Sequence, residues 1–255
     1  MRNQKVKTIF ETKTMKGITR NLHLCRQSLA KVVPNKTKKR GTSTNEWLTR
    51  QLSDPFVERA KMMNYRCRSA FKLVEINDKH EILKPGCTVI DCGAAPGSWS
   101  QIAANETNAN GQIATLPTGL VIGIDKLQIY PINGVHLLGN ADFMKPETQD
   151  RVKSILGDRK VDCVLSDMAP NATGVRALDQ ENITKLCYTV LRFAALMSSV
   201  NASLLVKLWC NGDLKQLERD MLRFYETVKL IKPAASRADS AEIFMLGKGF
   251  VGLKT

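Results

Sequence analysis

The sequence is poor in the residues that build metal sites and disulfide frameworks. Its 255 residues include seven cysteines and three histidines, and no two cysteines have CxxC spacing. His23, His80 and His136 are widely scattered, so neither a zinc site nor a histidine cluster is indicated. The cysteine pattern also argues against disulfides and favours a reducing compartment. We therefore expect no bound metal.

Long apolar runs and aromatic residues are also scarce. No stretch approaches the roughly 18 apolar residues of a membrane-spanning helix, so we expect no membrane span. Aromatic residues make up 6%, and the three tryptophans are dispersed, which argues against the stacking platform of single-strand binders. Apolar residues still reach 43%, enough for the core of one domain.

The excess of basic residues lies at the start of the chain. Residues 1–45 carry twelve lysines and arginines against one acid, which is +11 of the net charge of +14. Three interpretations are open: a mitochondrial transit peptide, a disordered basic arm that binds polyphosphate backbones, or a solvated tail without a task. We favour the first, and divide the chain into a leader at 1–45 and one domain at 46–255.

From residue 46 onward, helical and strand patterns alternate. This alternation predicts an α/β fold with a mostly parallel sheet and helices on both faces. Residues 105–119 are typical of an inserted surface loop. Helices are predicted at 46–60, 64–79, from 98, at 180–199 and at 213–224, and strands at 88–92, 120–125, 161–167, 203–209, 227–231 and 242–246.

Polar signals follow several of these strands. The stretch 91–99 (DCGAAPGSW) places an acid and a glycine turn between a strand and a helix, as nucleotide sites do. It is neither GxGxxG nor a Walker loop. Asp125 suits the hydroxyls of an adenosine ribose, and Asp142 suits an adenine amino group, with Phe143 stacking nearby. Each signal alone also fits an ordinary turn or helix cap. The candidate cofactor-binding residues are Gly93, Pro96, Gly97, Ser98, Trp99, Asp125, Asp142, Phe143 and Asp167.

One lysine stands in an apolar strand. Lys207 lies in the run LLVKLW, where packing rarely places a lysine. An edge-strand lysine that keeps its head in water is the alternative. Lys72, on the helix predicted at 64–79, is also explained as part of a charged helix face.

Several motifs together resemble the FtsJ/RrmJ-like ribose 2′-O-methyltransferases. They are YRCRSAFKL, DCGAAPGSWSQ, GIDKLQI, NADF, SDMAPN, LLVKLW and SRADSAEIFMLGKGF, and the resemblance covers residues 46–250. It implies a Rossmann-like S-adenosylmethionine-dependent methyltransferase fold with an antiparallel last strand. It also implies S-adenosyl-L-methionine as cofactor and RNA as substrate. The family's four active-site residues map onto Lys72, Asp167, Lys207 and Glu242. The stretch GTSTNEWLTRQLSDPFVERAK most resembles the branch that methylates a uridine of mitochondrial large-subunit rRNA.

The chemistry of this reaction assigns roles to the four residues. A ribose 2′-hydroxyl is a weak nucleophile, so a base must take its proton as the new bond forms. Lysine does so only when neutral. Lys207 is the candidate base, Lys72 and Glu242 position it and the ribose, and Asp167 faces both base and cofactor. For RNA contacts we expect Arg66, Arg68 and Arg237, although a solvated loop arginine also explains Arg237.

Other functions stay open at this point. A relative in the nucleus or cytoplasm that methylates rRNA or tRNA is the nearest. A ribosome-assembly factor that binds rRNA on the same fold without transferring methyl groups is another. A dinucleotide-dependent oxidoreductase has little support, because GxGxxG is missing. The sequence gives no sign of oligomerisation, so we take a monomer as the default.

Overall fold

The structure is a computed structural model that describes residues 52–210, 214–237 and 239–253. The basic leader at 1–45 and the first part of the helix predicted at 46–60 lie outside the described residues. From residue 55 onward the chain forms one compact unit.

The described elements alternate between helix and strand, as the sequence predicts. The helices are α1 (Pro55–Met62), α2 (Ala70–His80), α3 (Ser98–Glu106), α4 (Pro146–Leu156), α5 (Arg176–Met197) and α6 (Leu214–Met221). The strands are β1 (Thr88–Cys92), β2 (Leu120–Ile124), β3 (Val135–Leu138), β4 (Val161–Ser166), β5 (Ser198–Trp209), β6 (Tyr225–Ile231) and β7 (Glu242–Phe250).

The strands form one seven-stranded sheet in the order β3-β2-β1-β4-β5-β7-β6. The first five strands in this order are parallel, whereas β7 runs antiparallel to both β5 and β6. This confirms the predicted mostly parallel sheet with an antiparallel last strand. The strand order runs outward in opposite directions from β1 and from β4, so the sheet has a topological switch point between these two strands. Open α/β sheets bind their ligands at such a point, at the carboxyl ends of the strands.

Both faces of the sheet are covered by helices. Alternate strand residues point to opposite faces, so Val89 packs on the side of α2 and α3, and Ile90 on the side of α4, α5 and α6. Strands buried on both faces read as continuous apolar runs, which is the pattern of TVIDC and LLVKLW. Lys207 lies two residues after Leu205 on β5, so its side chain points to the same face of the sheet, the α2 side.

Three parts of the fold differ from the prediction. The edge strand β3 and the helix α4 were not expected, because β3 has four residues and α4 is mostly polar, with only Thr148, Val152 and Leu156 buried. Helix α2 begins at Ala70, not at residue 64. Residues 64–69 instead form an irregular segment that contacts the glycine turn after β1.

No described helix is long and apolar enough to cross a bilayer. Across residues 52–210, 214–237 and 239–253, no three His, Cys, Asp or Glu side chains are grouped so that they could hold a metal ion.

A buried carboxyl group in β1 links stability to pH. Asp91 is 0% exposed, and its Oδ2 accepts a hydrogen bond of 2.6 Å from the Ser100 hydroxyl. Burial is the main cause that raises the pKa of Asp91 from 3.8 to about 7; the Ser100 hydrogen bond opposes it, and the charges of Asp167 and Asp125 add to it.

We predict that Asp91→Asn changes how stability depends on pH. The folded protein keeps the Asp91 proton up to about pH 7, whereas the unfolded chain releases it near 3.8. Unfolding free energy should therefore fall as pH rises through this window, by at most about 1.4 kcal/mol per pH unit. Denaturant unfolding from about pH 5 to about pH 8 should show this fall in the wild type relative to Asp91→Asn. A difference that does not vary with pH would show that Asp91 ionises normally.

Candidate active site

Strand register brings Lys207 and Asp167 together. Ser166 at the end of β4 pairs with Val206 in β5, so the next residues, Asp167 and Lys207, lie side by side on the α2 face. The Lys207 Nζ is 2.9 Å from Asp167 Oδ1 and also donates a hydrogen bond to the Asp167 carbonyl oxygen. The side chains are 11% and 19% exposed, so this ion pair is shielded from bulk water while its edge remains accessible.

A second ion pair forms between α2 and β7. The Lys72 Nζ lies 2.6 Å from Glu242 Oε1 and 2.8 Å from Oε2, and the two side chains are 12% and 13% exposed. Lys72 lies in the first turn of α2 and Glu242 is the first residue of β7, so a helix and a strand 170 residues apart in sequence meet here. The expected alternative for Lys72, a solvated helix face, does not fit this burial.

Phe244 lies between the two pairs. It is opposite Lys207 in the antiparallel register of β5 and β7, and the Lys72 Nζ is 5.8 Å from its ring centroid. Glu242 precedes Phe244 by two residues, so its side chain is on the same face. The structure thus brings all four residues expected from the family pattern onto one face of the sheet, at the carboxyl ends of β4 and β5.

Two serines that the sequence reasoning missed hold the carboxylates. The Ser69 hydroxyl donates to Asp167 Oδ2 at 2.9 Å, and the Ser236 hydroxyl donates to Glu242 Oε1 at 2.9 Å. Ser69 lies three residues before Lys72, the spacing that places two residues on one face of a helix, and this was the available signal. Nothing in the sequence pattern singles out Ser236, which depends on the fold of the turn before β7.

The glycine turn after β1 forms the second half of the site. Gly93 has a φ of +82°, and a Cβ there would lie 2.7 Å from the Met168 side chain and 2.9 Å from its backbone nitrogen. Gly97 has a φ of +115°, and a Cβ there would lie 2.6 Å from Ile132 Cδ1. Between them, the Ala95–Pro96 peptide bond is cis. The turn therefore requires glycine at both positions and brings backbone close to a ligand above β1.

Two of the expected cofactor residues, Trp99 and Ser98, have buried side chains, and their expected cofactor contacts stay predictions. The Trp99 ring is 2% exposed, donates from its indole nitrogen to the Ser69 carbonyl at 2.9 Å and packs against Phe244 with centroids 5.6 Å apart. Ser98 is also buried, and its hydroxyl lies 3.0 Å from the Cys67 Sγ. Both side chains contact the segment 64–69 before α2 and so hold it against the start of α3.

Of the two expected acids, Asp125 after β2 contacts the glycine turn, and Asp142 after β3 lies near Asp125, since the Ala141 N–H donates to the Asp125 carbonyl at 2.8 Å. Asp125 Oδ2 accepts from the Ala95 N–H at 2.9 Å and Oδ1 accepts from the Leu127 N–H at 2.8 Å. Each carboxylate oxygen retains a second lone pair, so Asp125 still suits ribose hydroxyls. Asp142 Oδ1 accepts from the Met144 N–H at 2.9 Å, and its Oδ2 is 3.2 Å from the exposed Lys126 Nζ.

The expected stacking role of Phe143 needs correction. Its ring is 2% exposed and makes an edge-on contact with Phe193 of α5, with centroids 5.2 Å apart. The ring belongs to the core on the α5 side and has no face open to a ligand. Its neighbour Asp142, in the loop after β3, is half-buried and is the more accessible residue of that pair.

The structure also gives Arg66 and Arg68 internal roles. The Arg66 guanidinium donates to the carbonyls of Pro96 and Tyr130 at 2.8 Å and of Pro131 at 2.7 Å. Arg68 donates to the Ala235 carbonyl at 2.6 Å, and this bond stabilises the turn that contains Ser236. These contacts favour an internal role for both residues over the expected RNA contacts, which no observation here tests. Nothing tests that expectation for Arg237, which stays a prediction.

The whole arrangement has the features of a methyl-transfer site for an adenosyl cofactor. A turn that requires glycine at two positions lies near two acids that suit an adenosine. Close to it are two lysine–carboxylate pairs, formed by Lys207 of β5 with Asp167 after β4 and by Lys72 of α2 with Glu242 of β7. The cysteines Cys92 and Cys163 do not take part, since both are fully buried and burial raises the pKa of each thiol.

Comparison with known proteins identifies the family. The FtsJ-like methyltransferase family matches residues 65–250, nearly all of the described unit. The chain belongs to the FtsJ-like methyltransferase family. An FtsJ-like enzyme uses S-adenosylmethionine as its methyl donor, which confirms the expected cofactor and the expected class of enzyme.

Individual relatives of this FtsJ-like methyltransferase agree with the match. The chain is 60% identical over 223 residues to rRNA methyltransferase 2, mitochondrial, of Drosophila melanogaster, covering 88% of this chain and 89% of the relative. It is 41% identical over 222 residues to ribosomal RNA large subunit methyltransferase E of Xanthobacter autotrophicus, covering 87% and 85%. A crystal structure described as a ribosomal RNA methyltransferase of Plasmodium falciparum has a TM-score of 0.65 and 27% identity, covering 74% of this chain and all of that one.

We predict that Arg66→Ala weakens cofactor binding and leaves RNA binding intact. The guanidinium ties the glycine turn to the loop after β2, so its loss frees two walls of the cofactor site. Losing hydrogen bonds to a charged donor should raise the S-adenosylmethionine dissociation constant about tenfold or more, measured by calorimetry.

Arg66→Lys keeps the positive charge but loses the planar set of N–H donors. Its S-adenosylmethionine affinity should therefore lie between those of Arg66→Ala and the wild type. An unchanged cofactor affinity together with a weaker RNA affinity would contradict this prediction and support the expected RNA contact of Arg66.

Proposed function

We propose that this enzyme methylates the 2′-hydroxyl of a uridine in mitochondrial large-subunit rRNA, with Lys207 as general base. The observation that carries the proposal is the pair of shielded contacts Lys207–Asp167 and Lys72–Glu242, which β5, the end of β4, α2 and β7 bring together near the glycine turn. The large-subunit rRNA and mitochondrial assignments come from the relatives' names, and the uridine from the resemblance to that branch.

The proposed reaction moves one methyl group and one proton. The hydroxyl proton passes to the Lys207 Nζ, which must have released its own extra proton beforehand, as the 2′-oxygen takes up the methyl group; that group would come from S-adenosylmethionine held beside the glycine turn, which would leave as the thioether S-adenosylhomocysteine. When bound, S-adenosylmethionine supplies an electrophilic methyl group on a positively charged sulfur. The other contribution of the protein is to position the substrate, because an in-line displacement requires that the 2′-oxygen is held within about 3–3.5 Å of the methyl carbon.

The surroundings of Lys207 fix the position of the proposed base. Its two hydrogen-bond acceptors, the Asp167 carboxylate and the Asp167 carbonyl, both lie on one residue, and this fixes the direction of the amine. Ser69 fixes the carboxylate in turn. The ion pair is that of the protonated amine, so the base role requires Lys207 to release one proton first; the neutral amine then presents its lone pair where the ribose oxygen must come.

Lys72 and Glu242 have a different role in this proposal. The charges of Lys72 and Glu242 neutralise each other, and the Ser236 hydroxyl fixes the orientation of the Glu242 carboxylate. The pair therefore forms a fixed polar surface near Lys207. Such a surface can hold the hydroxyls of a ribose without a change in net charge. The Arg66 contact to the glycine turn connects the segment before this helix to the cofactor side.

A non-catalytic assembly factor on the same fold is the second candidate. The intact four-residue cluster argues against it, because a protein that only binds RNA has no need of two lysine–carboxylate pairs, each shielded from water. Pairs of this kind cost desolvation energy, and their retention indicates a chemical role.

We predict that Lys207→Ala and Lys207→Arg both lose methyl transfer by about 10²- to 10⁴-fold, the usual contribution of a general base. Arginine keeps a positive charge for Asp167 but does not give up its proton, so it separates base catalysis from ion pairing. The measurement is incorporation of labelled methyl groups into large-subunit rRNA. Lys153→Ala, an exposed lysine on α4, is the matched control and should retain full activity.

The two candidates make different predictions for the same assay. An active Lys207→Arg variant would contradict the base role. A wild type that binds rRNA and S-adenosylmethionine but transfers nothing would favour the assembly factor.

The proposed location is the mitochondrial matrix, where mitochondrial rRNA is found. The basic, acid-poor leader at 1–45 supports import, since transit peptides have this composition.

We predict that residues 1–45 direct a fluorescent reporter into mitochondria. Replacing the twelve basic residues of the leader by glutamine should leave the reporter diffuse, because transit peptides depend on positive charge. Microscopy and protease protection of isolated mitochondria measure the outcome. A native leader that leaves the reporter in the cytosol or nucleus would support the alternative location.

A further inference from the structure

Three lysines surround one histidine at the end of α2 that is remote from the active site. The Lys248 Nζ of β7 donates a hydrogen bond of 2.6 Å to the carbonyl of His80, the last residue of α2. Lys79 of α2 is 62% exposed, and Lys229 of β6 is exposed as well. Burial, followed by the charges of the three lysines, lowers the pKa of His80. These four residues therefore form one basic cluster.

The two strand lysines of the basic cluster point to the same face of the sheet. Lys248 lies two residues after Leu246 on β7, and Lys229 lies two residues before Ile231 on β6. Both apolar residues pack on the α2 side, so both lysines face that side. Lys229 is opposite Leu246 in the ladder, which makes the two lysines diagonal neighbours about 7–8 Å apart. Two positive charges this close repel each other unless an anion joins them.

Carboxylates do little to balance the basic cluster. Lys79 is 3.1 Å from Glu75 Oε1, an ion pair within α2. In the part of the chain that the structure describes, no carboxylate oxygen lies within 4 Å of the ammonium groups of Lys229 and Lys248. Glu81, which follows the cluster, is exposed and makes no such pair either. The strand lysines therefore present positive charge that the described residues leave unneutralised.

The basic cluster lies on the same face of the sheet as the lysine–carboxylate pairs, at a distance of several nucleotides. From Lys72 to His80 is eight residues, about 12 Å along a helix. From Glu242 to Lys248 is six residues, about 20 Å along a strand. An extended polymer that occupies the active site can therefore reach the cluster along the edge formed by α2 and β6.

Phosphates of a nucleic acid suit the basic cluster better than an anionic membrane does. Lysines bind phosphates as point charges, and each neutralised phosphate releases counterions. A membrane surface also requires exposed apolar side chains beside the cations. Leu230, the exposed large apolar residue next to Lys229, is opposite Met245 in the ladder and points to the α5 side of the sheet.

We infer that the basic cluster binds phosphates of the rRNA several nucleotides away from the one that is methylated, with Lys229 as the main contact and Lys248 and His80 beside it. The inference rests on the proposed function only in that rRNA occupies the active site. Contacts to phosphates position the RNA and carry no sequence information directly. The cluster should therefore contribute affinity and not the choice of nucleotide.

The test measures how RNA binding depends on salt. An oligouridine of about 20 nucleotides is titrated into the full chain at several salt concentrations, without methyl donor. Lys229→Gln should lower the slope of log affinity against log salt by about 0.7, the value for one phosphate of a single strand, and should weaken binding about fivefold near 0.1 M salt. Lys229→Gln/Lys248→Gln should lower the slope by about twice as much. Lys229→Arg keeps the charge and should bind like the wild type.

Controls separate the basic cluster from net charge and from folding. Lys153→Gln on α4, which covers the opposite face, removes the same charge and should leave the slope unchanged. The thermal unfolding temperature of Lys229→Gln should equal that of the wild type, because this lysine is exposed. In methyl transfer to large-subunit rRNA, Lys229→Gln should raise KM about fivefold and leave kcat unchanged, since it lies remote from the reacting groups.

The outcomes distinguish this inference from the proposed function. An unchanged slope in both Lys229 variants, or an equal loss in Lys153→Gln, would overturn the inference even if rRNA is methylated normally. Self-association of Lys229→Gln with unchanged RNA affinity would overturn it too, and would mean that Lys229 protects the edge of β6 from strand pairing. RNA binding that depends on Lys229, in a protein that transfers no methyl group, would support the inference and contradict the catalytic proposal.

Discussion

Two lysine–carboxylate pairs, Lys207 with Asp167 and Lys72 with Glu242, are the constraint on which the site depends. Each lies where water is largely excluded, so neither lysine nor carboxylate is stable there alone. Removing one member would leave an uncompensated charge, and the remaining groups would turn toward solvent. The pairs thus hold four chemically active side chains in place before any substrate arrives.

The topology explains why such pairs form at this place. Because β7 inserts between β5 and β6 in antiparallel direction, its first residue lies next to the last residues of β5, and Glu242 reaches the rim where parallel strands end. The segment before α2 crosses the same rim. The Ser69 hydroxyl donates to the Asp167 carboxylate, and the Ser69 carbonyl accepts a hydrogen bond from the Trp99 indole. Arg66 donates to the Pro96 carbonyl in the glycine turn. One short segment therefore connects the catalytic and cofactor halves.

Much of this could be predicted from local patterns. Buried parallel strands read as apolar runs, and a lysine inside one, Lys207, is conspicuous for that reason. What escaped prediction depends on three-dimensional neighbours. The polar helix α4 and the short strand β3 carry little apolar periodicity. The core contact of Phe143 with Phe193 and the carbonyl partners of Arg66 involve residues far away in sequence, so no local pattern predicts them.

The central claim is that the acceptor of the methyl group is a ribose hydroxyl held against Lys207. It is tested most directly by replacing the methylated nucleotide of an rRNA fragment with its 2′-deoxy counterpart and measuring single-turnover methyl transfer. The account predicts that this loss of one oxygen abolishes transfer at that position while S-adenosylmethionine binding and RNA binding stay close to those of the unmodified fragment. Undiminished transfer to the deoxy fragment would mean that a base atom is the acceptor, and would contradict the account.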